Sequence, residues 1–134
     1  EMWREFIKPG EIRIAEHIHK RGKIYAHHSC GYIEPLIPDM IEIGIDALDP
    51  VSAANDVAKI KREYGDKLVI CGGVYNQRID FEETPEEEIR KEVRRVMDAY
   101  SYGGRYIPEF IFTNRRVRDI FEDEVEKYGK YISK

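Results

Sequence analysis

The chain of 134 residues is 42% hydrophobic and carries a net charge of −4, with 22 basic and 26 acidic residues. Such length and apolar content suffice for one domain with its own core and exclude a disordered chain, and charges of both signs interspersed leave no basic stripe for a phosphate backbone, which excludes nucleic acid as a partner. No apolar run is long enough to cross a bilayer, the start Glu1-Met2-Trp3-Arg4-Glu5-Phe6 has no secretory pattern, and two cysteines, each closing an apolar run, read as reduced thiols of a cytoplasmic protein rather than a disulfide framework.

In chain order, Ile7, Ile12, Ile14, Ala15 and Ile18 recur at helical spacing over residues 3–20; Pro9-Gly10 interrupts them, so Pro9 is read as beginning a second helix. Gly22 ends it. Residues 23–28 then form a short buried strand that runs into the turn Ser29-Cys30-Gly31. Pro35 opens the next helix, with Leu36, Ile37, Met40, Ile41 and Ile43 at helical spacing until Gly44 stops it. Residues 45–50 make a very short strand and residues 55–64 a third helix. Leu68-Val69-Ile70-Cys71, continuously apolar and followed by Gly72-Gly73, is the clearest strand. Thr84-Pro85-Glu86-Glu87 predicts a helix start with Thr84 as the cap, proline in the first turn and acids at the positive end of the dipole; the helix runs through Val93, Val96 and Met97 to about Tyr102. A strand over residues 105–112, shortened by Pro108, and a final helix over residues 116–128, ended by Gly129, close the pattern.

One helix followed by four strand–helix repeats implies an α/β fold with parallel strands and right-handed crossovers, four βα units equivalent to half of a (β/α)8 TIM barrel. Chemistry in that architecture gathers at the carboxyl ends of the strands, where His28, Cys30, Asp49, Cys71, Asn76 and Glu109 fall. Potential metal ligands crowd together in Tyr25-Ala26-His27-His28-Ser29-Cys30-Gly31. At positions i and i+2 of a strand His28 and Cys30 share a face and could grip one zinc ion, whereas a buried cysteine and a strand-end histidine serve equally well as structural residues. His27 faces the other way and reads as structural, and His17 and His19 point to different sides of a helix and read as solvated. Asp49, Asn76 and Gln77 are open between binding substrate and capping turns; Glu109, beside aromatics, is open between a ligand, an acid of raised pKa and a surface carboxylate.

The runs His28-Ser29-Cys30-Gly31-Tyr32-Ile33-Glu34-Pro35-Leu36-Ile37, Gly44-Ile45-Asp46-Ala47-Leu48-Asp49-Pro50 and Ile70-Cys71-Gly72-Gly73-Val74, with the Thr84-Pro85-Glu86-Glu87 helix start, occur in an order and spacing that resemble the C-terminal half of the uroporphyrinogen decarboxylase superfamily. That superfamily also contains the cobamide-dependent methyltransferases. The resemblance extends from about Pro9 to Tyr131 and implies a barrel of which this chain supplies strands five to eight. Residues 1–134 are then one half-barrel domain, a fragment or a half that pairs with another chain.

In the zinc methyltransferases of that superfamily a His-x-Cys pair after the fifth strand, matched here by His28 and Cys30, holds zinc with a third cysteine near the last strand. The zinc is a Lewis acid that keeps a thiol as the thiolate attacking the methyl group of a methylcobamide. Here residues 107–112 contain no cysteine and Phe110 stands about where one belongs. Cys71, two strands away and about 10 Å off by strand spacing, or Glu109 is left as the third ligand. Porphyrinogen decarboxylases place a histidine near Phe110 instead, and their aspartate after the Gly-Gly turn is Tyr75 here. The resemblance therefore implies a zinc-assisted methyltransferase with methylcobamide as co-substrate and a corrinoid protein as partner. On that reading Glu109 and Asp49 are the catalytic candidates, Tyr75, Asn76 and Gln77 bind substrate, and His28, Cys30 and Cys71 bind metal. The alternatives are a metal-free decarboxylase (a carboxy-lyase) that binds an anionic tetrapyrrole, and a non-catalytic half-barrel subunit. Two open strand edges lead to the expectation of self-association or of pairing with a separate N-terminal half-barrel.

Overall fold

Apolar runs closed by glycine or proline become four parallel strands set between helices in the computed structural model, which describes residues 1–132. A π-helical turn, Trp3–Ile7, leads into α1 (Lys8–His19); β1 (Ala26–His27), α2 (Ile37–Ile43), β2 (Ala47–Val51), α3 (Val57–Tyr64) and β3 (Val69–Gly72) follow. Then come a single turn α4 (Asn76–Ile79), α5 (Glu86–Tyr100), β4 (Tyr106–Ile107) and α6 (Arg115–Ile132). The sheet order is β1-β2-β3-β4, with Ala26 opposite Ala47, Leu48 opposite Ile70 and Ile70 opposite Tyr106, all parallel. Each strand lies beside the next in sequence, so the α/β expectation holds and the arrangement is that of half a TIM barrel.

The core lies between sheet and helices: Leu48, Val51 and Ile70 from the strands meet Ile37, Met40, Ile60, Ile89, Val93, Val96 and Phe121 from the helices. Full burial of each such aliphatic or aromatic side chain is worth about 1.5–3 kcal/mol, and this layer holds the strand ends in place. Ion pairs stitch the helices around it. Asp39 of α2 accepts from Arg4 at 2.9 Å and from Lys8 at 2.8 Å, and Glu124 of α6 accepts from Arg90 and Arg94 of α5, each at 2.7 Å. Gly44 stops α2 as expected, at φ +92°, a conformation that a Cβ makes costly.

Several local expectations change. Pro9 does sit in the first turn of α1, yet the residues before it stay helical and join it without a break. The edge strands are only two residues long: Ile24, expected in the first strand, is 77% exposed, and Pro108 cannot donate to extend β4. Thr84 is not the cap of α5. Pro85 occupies that position with no side-chain cap bond, while Thr84 turns inward and is buried. Gly129 does not end α6; a Cβ there would lie 3.4 Å from Cε of Met97, so glycine lets α6 lie close on α5. Among the described residues no helix is long and apolar enough to cross a membrane.

Candidate functional site

The carboxyl ends of the strands turn sharply because the sequence puts glycine there. Gly72 and Gly73 close β3 with φ of +97° and +72°, and a Cβ on Gly73 would meet Cε2 of Tyr100 at 2.9 Å. That turn leaves Cys71 in β3 with its side chain 3% exposed, between Asp49 of β2 and Glu109 just beyond β4. The potential ligand atoms of Asp49, Cys71 and Glu109 all lie within 4.8 Å of one another, the one such group of three among the described residues. Burial, then the charges of Glu109 and Asp49, push the Cys71 thiol up to about 12. Burial also raises Glu109 above the ordinary carboxyl value, helped by its hydrogen bond to Asp49 and the charge of that group. A carboxyl raised in this way holds its proton more readily than a free one, which suits Glu109 to donate a proton.

His28 and Cys30 lie in the loop after β1, both exposed, with Nε2 of His28 3.1 Å from Sγ of Cys30. The pair is brought together by the loop, since β1 has already ended at His27. Neither residue belongs to the Asp49–Cys71–Glu109 group, so the candidate ligands fall into two clusters. His27 turns away: its Nδ1 is 3.2 Å from Oη of Tyr25, which donates to Glu11 of α1. His19 is 2.9 Å from a carboxylate oxygen of Asp46. Glu34 is occupied by Lys59, which donates to it at 2.6 Å.

A cavity of about 500 Å³ opens at this end of the sheet, lined by Cys30, Tyr75, Asn76, Gln77, Arg78 and Phe110 among others. Two guanidinium groups lie over the Tyr75 ring, Arg78 at 4.6 Å and Arg95 at 4.4 Å from its centre, and the Tyr75 N–H donates to Glu92 at 2.7 Å. Arg95 is also neutralised by Glu92 and donates to the carbonyl of Gly73 at 3.0 Å. Asn76 and Gln77 begin α4, and among the described residues their side-chain amides make no hydrogen bond, which leaves them open to a ligand. Phe110, marked in the sequence as standing where a third cysteine belongs, lines the same cavity as Cys30.

Residues the sequence did not single out hold this end together. Asn55, buried between β2 and α3, accepts from the N–H groups of Ile33 and Glu34 at 2.8 and 3.0 Å and donates to the carbonyls of Gly31 and Ser52 at 2.9 and 3.0 Å. It fastens the loop bearing His28 and Cys30 to the loop after β2. Asp80 does the same for the loop bearing Glu109 and Phe110, accepting from the N–H and hydroxyl of Thr113 at 2.7 Å each and from the N–H of Asn114 at 3.0 Å. An asparagine beside a helix start was a usable sign of such a staple; for Arg78 and Asp80 the sequence carries no comparable sign.

Residues 1–110 match the family model of uroporphyrinogen decarboxylase (URO-D). The chain belongs to the uroporphyrinogen decarboxylase family. Every residue of the two ligand clusters, and Phe110, lies inside the matched segment. This URO-D chain superposes on the solved structure of a methyltransferase from Methanosarcina mazei with a TM-score of 0.70 at 18% identity, over 94% of the present chain and 36% of the other. At that identity the likeness concerns the fold, and the URO-D chain spans little more than a third of the length of that methyltransferase. No curated protein matches the chain in sequence.

Proposed function

We propose that this URO-D family chain supplies the metal-binding half of a methyltransferase, with His28 and Cys30 as zinc ligands, a thiol as methyl acceptor and a methylcobamide on a corrinoid protein as donor. The observation that carries the reading is the 3.1 Å approach of Nε2 of His28 to Sγ of Cys30 beside a cavity of about 500 Å³. Imidazole and thiolate are preferred zinc donors, and both groups are exposed and reachable by an ion, so the pair fits as two of the ligands, the remaining positions being left to groups outside this pair and to the substrate thiol. Zinc held there would supply Lewis acidity that favours the thiolate of an incoming thiol. The remaining work falls to side chains of the chain itself. The amides of Asn76 and Gln77 orient the acceptor, and Arg78, stacked on Tyr75, offers a positive charge to an anionic tail. A methylcobamide on a partner protein would supply the methyl group to the acceptor sulfur and would keep the bonding electron pair on its cobalt. The proton lost from the thiol passes to solvent, because His28 and Cys30 are both exposed.

Zinc retention is the test. The purified protein should keep zinc that Cys30→Ser releases, and Phe110→Cys, adding a soft donor to the same cavity, should tighten retention tenfold or more in a Cys30-dependent way. Absence of Cys30-dependent zinc in both the wild type and Phe110→Cys would overturn the reading.

A second reading, metal-free decarboxylation of an anionic tetrapyrrole, is favoured by the raised Glu109 carboxyl, because a proton must replace the departing carbon dioxide. A tight optical shift with a porphyrinogen-like ligand in protein that lacks zinc would support it instead. Either activity calls for a complete barrel. Among the described residues β1 and β4 each pair on one side only, and Ile24, Ile107 and Ile111 are exposed. These edges support self-association or pairing with an N-terminal half-barrel. A stable monomer at low concentration in a sedimentation experiment would contradict that pairing.

A further inference from the structure

We infer that Asp49, Cys71 and Glu109 form a second site for a divalent cation of the zinc group, separate from the His28–Cys30 pair and independent of the methyl-transfer reading. The three residues come from β2, from β3 and from just beyond β4, three neighbours in the sheet. Their donor atoms converge within 4.8 Å. In a tetrahedral site with metal–oxygen bonds of about 2.0–2.2 Å and metal–sulfur bonds of about 2.3 Å, donors stand roughly 3.4–3.8 Å apart. The cluster therefore needs to contract by only about 1 Å. Glu109, an exposed residue beyond the last strand, has the freedom to make that movement.

The thiol is what sets this cluster apart from a patch of surface acids. Cys71 is 3% exposed, and its sulfur faces two carboxyl groups without making a hydrogen bond among the described residues. A cysteine serving only as a small hydrophobe belongs among aliphatic side chains. Here the packing directs an unpartnered, buried sulfur at two oxygen donors. The fully ionised trio would carry three negative charges in one pocket, which a dication relieves. A thiolate with two carboxylates suits zinc, cobalt or cadmium; calcium and magnesium prefer all-oxygen shells. The exposed side of Glu109 is the entry path for the ion.

The chain has two cysteines, so in a Cys30→Ser protein the sole thiol is Cys71. Titrating that variant with Cd²⁺ and reading the ultraviolet thiolate-to-cadmium band should give one saturating transition at about one ion per chain. Glu109→Gln and Asp49→Asn, each made on the Cys30→Ser background, should lower the affinity tenfold or more with an unchanged far-ultraviolet circular dichroism spectrum, and His28→Ala on that background should leave it alone. No band, or a band indifferent to Glu109→Gln, would overturn the inference. Because Glu109 lies outside the core, that variant remains decisive even if Asp49→Asn disturbs folding. Loss of Cys30-dependent zinc, by contrast, bears only on the methyl-transfer reading.

Discussion

Replacing Asn55 with alanine tests how the His28–Cys30 loop is held. The side chain is 6% exposed and serves four backbone groups, the N–H groups of Ile33 and Glu34 and the carbonyls of Gly31 and Ser52. Ile33 is itself buried, so its N–H would be left without a partner, at a cost of about 1–3 kcal/mol, while the other three groups lie nearer the surface and lose about 0.5–1 kcal/mol each. Asn55→Ala should therefore destabilise the protein by about 3 kcal/mol. With a urea dependence of about 2 kcal/mol per molar, the unfolding midpoint falls by about 1.5 M. Gly31 is next to Cys30, so the same change should weaken Cys30-dependent metal binding about tenfold through the freedom returned to the loop. A loss below about 1 kcal/mol would refute the account of the staple. A full loss of stability with unchanged metal affinity would refute the claim that the staple positions the ligands.

Three other measurements follow from the same geometry. Gly73→Ala, at φ +72° and with its new Cβ 2.9 Å from the Tyr100 ring, should cost about 2–4 kcal/mol in denaturant unfolding; a cost under about 1 kcal/mol would contradict the close approach. Hydrogen bonds from Arg4, then Lys8, hold the Asp39 carboxyl down to about 2 from its ordinary 3.8. The unfolded chain then binds more protons than the native one between these values, so this contribution is present above 3.8 and is lost as the pH falls towards 2. Asp39→Asn should flatten that part of the stability–pH profile, and equal slopes in the two proteins would refute the assignment. Finally, a thiol reagent at neutral pH should modify Cys30 rapidly and leave Cys71 protected until unfolding, because one is exposed and the other is buried with its thiol pushed up to about 12. Two equally fast thiols would contradict the burial of Cys71.

The parts of the fold that could be read from the sequence were those in which one local signal dominates. Leu68-Val69-Ile70-Cys71 is continuously apolar and gives β3 almost to the residue, and Gly44 stops α2 because a left-handed residue is needed there. Signals that depend on a neighbour were misread. Gly129 looks like a stop until α6 is seen lying on Met97, and Thr84 looks like a cap until the core claims its side chain. α4 is one polar turn, Asn76–Ile79, too short for any periodicity to show. For the site, strand-end position was enough to mark His28, Cys30, Asp49, Cys71 and Glu109, because parallel strands deliver their last residues to one rim. The division into a pair and a trio was not legible, since it depends on where β1 ends and how Gly72-Gly73 turns the chain.

The unequal lengths of the strands bear on how the domain breathes. β2 and β3 lie inside the sheet with partners on both sides, whereas β1 and β4 are two-residue margins. Amides of the inner strands should exchange with solvent only when the whole domain opens, and those of the margins through much cheaper local excursions. Asp49 and Cys71 belong to the slow unit, while His28, Cys30 and Glu109 ride on the fast ones. An ion bridging Cys71 and Glu109 would clamp a fluctuating margin to the slow centre, so its release would register as fraying at one end of the sheet long before any change in overall stability.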